Sequence, residues 1–124
     1  MNIKRPWNTK ERGIMEFIFL EEKGKYIGVC LSFDIIEEGK DLNRLIQSVE
    51  DAAKLHIRIV MKKNLSDDLL NRYAPEKYWK KYFEALKVLE RQKVEKKKVE
   101  SEIPAIVNLP YPTMGMNQFA VSGV

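Results

Sequence analysis

YIGVCLSFDIIEEGKDLNRLIQSVEDAA, residues 26–53, contains a change of period that decides the fold. From Tyr26 to Phe33 the repeat is two. Ile27, Val29, Leu31 and Phe33 share one side, and Tyr26, Gly28, Cys30 and Ser32 share the other, as in a β-strand. From Leu42 the repeat lengthens. Leu42, Leu45, Ile46, Val49, Ala52, Ala53, His56 and Val60 recur at threes and fours, which is the stripe of an amphipathic helix with Asp41 as its N-cap. Residues 34–38 between them read as a short third strand ended by Gly39. The apolar side Ile27–Phe33 is expected to meet the core, with the helix across it and Ala52 and Ala53 allowing a close approach. Gly28 marks a point where a backbone or a bulge comes near.

Working outward, Ile14–Leu20 (IMEFIFL) is aromatic and β-branched and reads as a strand. It is joined to the next strand by the polar loop Glu-Glu-Lys-Gly-Lys in an antiparallel hairpin. Residues 1–13, with Pro6 and Asn8, form an irregular N-terminal arm, and residues 14–124 a single domain. Ser66 with Asp67 and Asp68 caps a short helix to about Arg72. Pro75–Glu76 opens another, whose stripe is Tyr78, Trp79, Tyr82, Phe83, Leu86 and Leu89. These two make a helical insertion over about 66–100. Ile103–Pro104 breaks it. The tail 103–124 has no charged residue, and Gln118–Ser122 reads as a final strand. An uncharged apolar tail aggregates if left in water, so docking on its own sheet or on a second subunit is expected.

The length, 124 residues, suits one domain, and 44% apolar residues suffice for a core. No apolar run approaches the ~20 residues that span a bilayer, and the start lacks the pattern of a secretory signal. One cysteine (Cys30) and one histidine (His56) exclude an intrachain disulfide and a Cys/His zinc site, and a lone thiol fits the cytoplasm. Net charge is 22 − 18 = +4. Residues 73–102, with nine basic and six acidic side chains, contribute +3 of it. Interleaved charges of this kind read as a solvated helix face.

The Walker, dinucleotide-binding and nucleophile-elbow patterns are all absent. Cys30 lies mid-strand and His56 on an apolar stripe, and both read as packing residues. Asp34 reads as a turn former. No catalytic residue, cofactor or metal is assigned. Lys77, Lys80, Lys81 and Lys87 interleave with aromatics, and a nucleic-acid-binding helix over 76–98 is the alternative reading. A packing helix with its lysines in water is favoured, because Trp79, Phe83 and Leu86 line one side and the lysines line others.

The stretch 26–53 also resembles the HicB-like antitoxin family. Gly39-Lys40-Asp41 stands at that family's Gly-x-Thr position, Leu45-Ile46 at its Ala-Leu, Ser48 at its Asn and Asp51-Ala52 at its Glu-Ala. Glu102-Ile103-Pro104 resembles its Ile-Pro step before the last strand. The resemblance implies a small α+β domain with an antiparallel sheet in the order β-β-β-α…β, like a partial ribonuclease H fold. It also implies a non-enzymatic role, masking a small basic HicA-like ribonuclease toxin or another protein, and a homo-oligomer. Asp41 replaces the family's hydroxyl residue, the helical insertion replaces a short link, and no counterpart of the C-terminal DNA-binding module is read. Partner contacts are expected at Trp79, Tyr82, Phe83, Tyr111 and Phe119.

Overall fold

The computed structural model describes residues 7–95 and 103–111. Lys23 and Gly24, with φ of 51° and 79°, make a two-residue turn. A left-handed pair of this kind matches the twist of antiparallel strands. It joins β1 (Ile14–Glu22) to β2 (Lys25–Cys30), so the connection is tighter than the expected five-residue loop. A second turn, with Asp34 at φ 57°, leads to β3 (Ile35–Gly39). β4 (Ala105–Pro110) begins directly after Ile103–Pro104 and pairs with β1. The sheet is antiparallel and open, in the order β3-β2-β1-β4.

Helix α1 (Leu42–Lys62) is closed at both ends by local hydrogen bonds. At its start the Arg44 N–H donates to the Asp41 carboxylate at 3.1 Å. At its end Asn64 turns left-handed with φ 48°. The Asn64 N–H then donates to the Met61 carbonyl at 3.1 Å and the Leu65 N–H to the Val60 carbonyl at 2.8 Å. That arrangement satisfies carbonyls a helix end otherwise leaves unpaired. The segment after Ser66 is shorter than expected. It is a 3-10 turn over Asp67–Leu70, with the Asp68 N–H donating to Ser66 Oγ at 3.2 Å, and Asn71 closes it, its N–H donating to the Asp68 carbonyl at 3.1 Å. Helix α2 (Glu76–Glu95) then runs where its aromatic stripe predicts. Among the described residues no helix is long and apolar enough to cross a membrane.

The sheet is buried on both faces. Phe17, Phe19 and Cys30 meet Leu45, Val49, Ala53, Ile57 and Val60 of α1 on one face. On the other, Ile18, Leu20, Ile27, Val29 and Leu31 meet Tyr78, Trp79 and Tyr82 of α2. The fold is therefore mixed α+β, with a helix on each side. This corrects the expected facing. The Ile27–Val29–Leu31 side turns to α2, and α1 lies on the side of Gly28 and Cys30. Phe33 joins the α1 side because the turn before Asp34 interrupts the alternation. The reason is space. A Cβ on Gly28 would come within 2.9 Å of both Phe19 Cε1 and Val49 Cγ2, so the glycine is what lets α1 descend onto β2.

The arm is docked through Asn8 rather than Trp7, which is 56% exposed. The Asn8 N–H donates to Asn71 Oδ1 at 2.9 Å, and Asn71 Nδ2 donates to the Asn8 carbonyl at 2.8 Å. Asn8 Nδ2 reaches the Leu70 carbonyl at 3.0 Å, and Asn8 Oδ1 accepts from the Ile14 N–H at 3.0 Å. The buried amide thus ties the start of β1 to the end of the 3-10 turn, and buried polar groups are tolerated when paired in this way.

Overpacking a filled core site costs about 1–3 kcal/mol. Gly28→Ala is expected to destabilise the chain by about that amount in urea unfolding. Val49→Ala in the same chain should recover part of the loss, because it removes one of the two clashing groups.

Candidate functional site

Three of the expected partner contacts are interior residues. Trp79 and Tyr111 are fully buried and Tyr82 nearly so, while Phe83 is half-buried. Trp79 sits among Tyr73, Tyr82 and Phe83, with ring centroids 5.7–5.8 Å away. This corrects the expectation for Trp79, Tyr82 and Tyr111, because their area is taken up by the sheet's second face and by the β1–β4 seam. Gly13 marks that seam. A Cβ there would lie 2.3 Å from the Tyr111 hydroxyl, so the ring closes over bare backbone. Phe119 lies outside the described residues. Lys77, Lys80, Lys81 and Lys87 are all exposed, with Lys80 3.9 Å from Glu76 and Lys77 capping the Tyr78 ring at 5.0 Å. The lysines face water and the large rings face the sheet, so they form no common stacking platform.

Cys30 is fully buried between Phe17 and Ile35 in the ladder. The His56 ring rests on Phe33, centroids 4.8 Å apart, and its Nε2 bonds to the Leu69 carbonyl. A carbonyl only accepts, so Nε2 carries the proton and the histidine ties α1 to the 3-10 turn. Asp34 is exposed in its left-handed turn. Among the described residues no group of three His, Cys, Asp or Glu side chains converges as a metal site.

A polar line between the sheet and α2 escaped the sequence reading. Ser32 is fully buried and Glu16 nearly so. Ser32 Oγ accepts from the Glu16 N–H at 3.1 Å and lies 3.5 Å from Glu16 Oε1. Asn108 is the ladder partner of Glu16, and its Oδ1 accepts from the Tyr82 hydroxyl at 3.0 Å. The only sequence signal for it is a carboxylate inside the apolar run IMEFIFL. This line anchors α2 to β4; its Ser32–Glu16 end is buried, while Asn108 is exposed at the sheet edge.

The open features lie at the two edges of the sheet. Residues 34–51, which run through β3 into the first half of α1, hold Asp34, Glu37, Glu38, Asp41, Glu50 and Asp51 against Lys40 and Arg44, a charge of 2 − 6 = −4 along that stretch in a chain of +4. Ile36 stands 44% exposed there. A shallow depression of about 380 Å³ lies beside it, lined by residues 37–41 with Arg44, Leu45 and Ser48. The ladder also fixes which backbone groups point out. The Leu31 N–H donates to the Glu16 carbonyl, so in alternation Gly28 and Cys30 turn their N–H and C=O groups toward β3, where they meet Glu37 and Ile35. The groups of Ile36 and Glu38 therefore face outward. Part of the charge is already engaged, with Glu37 accepting from Ser48 Oγ at 2.6 Å and Glu38 paired with Lys25 at 2.8 Å. A second cleft, of about 470 Å³, lies between α2 and the start of β4 and includes Lys81, Glu84, Val88 and Pro104.

No family model, curated protein or solved structure matches the chain.

The two tryptophans separate core from surface. Trp79→Ala is expected to cost about 3–5 kcal/mol of stability, as for a large buried ring. Trp7→Ala should stay within about 0.5 kcal/mol, as for an exposed site. Urea unfolding of the two variants checks the difference, and a near-neutral Trp79→Ala would return that ring to the surface.

Proposed function

We propose that this chain is a non-enzymatic HicB-like binding domain that masks a small basic protein, of the kind represented by HicA-like ribonuclease toxins. The observation that carries the reading is the β3 edge. The stretch that forms it, residues 34–51, holds six carboxylates against two cations, with Lys25 of β2 paired to Glu38, next to an exposed Ile36 and a strand whose outer N–H and C=O groups meet no partner among the described residues. Opposite charge steers and orients an incoming basic surface. An open strand edge with an apolar side chain gives that surface main-chain hydrogen bonds and an anchor. The same elements, β2, β3 and the first half of α1, carry the residues that resemble the HicB-like family. The chain's excess positive charge does not oppose this, since most of it lies in residues 73–102. On this reading inhibition is steric, since the partner's nuclease surface is covered by the sheet edge and α1. Partner contacts then fall on Ile36, Glu38 and Asp51 rather than on the buried aromatics.

The test is titration of a HicA-like toxin with the full chain, read by calorimetry and by protection of a messenger RNA from cleavage. The wild-type chain is expected to bind and protect, with affinity that falls as salt rises. Glu38→Lys with Asp51→Lys should weaken binding by about tenfold or more while leaving the thermal transition in place. Binding that is unchanged by the double variant, or absent in the wild type, contradicts the reading.

A further inference from the structure

We propose that a second copy of this chain adds to the opposite edge of the sheet, the two β4 strands pairing antiparallel about Val107 to make one eight-stranded sheet. The argument begins with the ladder. The Tyr111 N–H donates to the Gly13 carbonyl at 3.0 Å, so by alternation Leu109, Val107 and Ala105 turn their backbone groups toward Met15, Phe17 and Phe19. The N–H and C=O groups of Ile106 and Asn108 therefore point away from the sheet. Among the described residues no hydrogen bond reaches them.

A two-fold axis through Val107 brings Ile106 opposite Asn108 of the second copy, and Asn108 opposite its Ile106. Each such pair exchanges two N–H···O bonds, so every outward donor of the strand finds an acceptor. The next outward positions are Pro110 against Pro104 of the second copy. Neither has an N–H, so the ladder stops at both ends with no donor stranded. The spacing of the prolines, three residues to either side of Val107, is what makes the strand complementary to itself. A contact that uses the same patch on both copies closes as a dimer and does not propagate.

Charge supports the same choice of edge. Ala105–Pro110 carries none, whereas exposed edge strands are ordinarily guarded by charged side chains. β3 has that guard: a two-fold about Glu37 would set Glu37 against itself, so two copies do not meet there. On the α1 side of the sheet Ala105, Val107 and Leu109 are half-buried in one copy. Pairing sets Val107 beside Val107 and Ala105 beside Leu109 of the second copy, which covers this apolar strip. The inference is independent of the partner reading, because β3 and β4 are opposite edges, and either can hold without the other.

Sedimentation velocity of the full chain, combined with cysteine cross-linking, tests it. The native Cys30 is fully buried and does not compete. The chain is expected to sediment as a dimer. Val107→Cys should oxidise to a disulfide-linked dimer about tenfold faster than Leu109→Cys, because only position 107 faces itself across the axis. A monomer at all concentrations overturns the proposal, as do equal cross-linking rates at the two positions. A monomer in which Val107→Cys forms an intrachain disulfide with Ala120→Cys also overturns it, by assigning the edge to the chain's own residues 118–122.

Discussion

The structure depends on a sheet whose central strands must be hidden from water on both sides. β1 contributes Phe17 and Phe19 to one face and Ile18 and Leu20 to the other, and β2 contributes Cys30 to one and Ile27 and Val29 to the other. A single helix covers one face only. Exposing the second would leave a contiguous apolar surface of a size that monomeric proteins avoid. α2 is therefore part of the core, which is why its aromatic stripe faces inward. Burial of a large aromatic side chain is among the strongest single contributions to folding.

That requirement also sets what is left for binding. With both faces covered, the main-chain groups left open among the described residues sit at the edges, and the two edges differ in chemistry. β3 is acidic and has an exposed isoleucine, while β4 is uncharged and bounded by prolines. One suits a basic partner of different sequence and the other suits a copy of itself. The polar line Ser32–Glu16 and Asn108–Tyr82 lies between sheet and α2, and it gives that second layer a defined register over β4.

Much of this was legible in the sequence, for identifiable reasons. The period change at Leu42 located α1 and its Asp41 cap, and the alternation in Ile14–Phe33 located the hairpin. The facing was not legible, because both sides of β2 are apolar or small. Only the clash at Gly28 shows which side takes a helix. β4 was hidden to propensity by Pro104 and Pro110, which are breakers in a central strand and ordinary at the end of an edge strand. The partner contacts were misplaced because an aromatic stripe at helical spacing looks the same whether it packs on a sheet or on another protein. Asn8 escaped notice since its role depends on Asn71, sixty-three residues away.

Residue-resolved hydrogen exchange on the full chain tests the two-sided core most directly. The account predicts that amides of α2 from Tyr82 to Leu86 exchange as slowly as those of Phe17 and Val29, through the same cooperative opening. Exchange in α2 that is faster by orders of magnitude, with β1 and β2 still protected, would make it an appended helix and contradict the account.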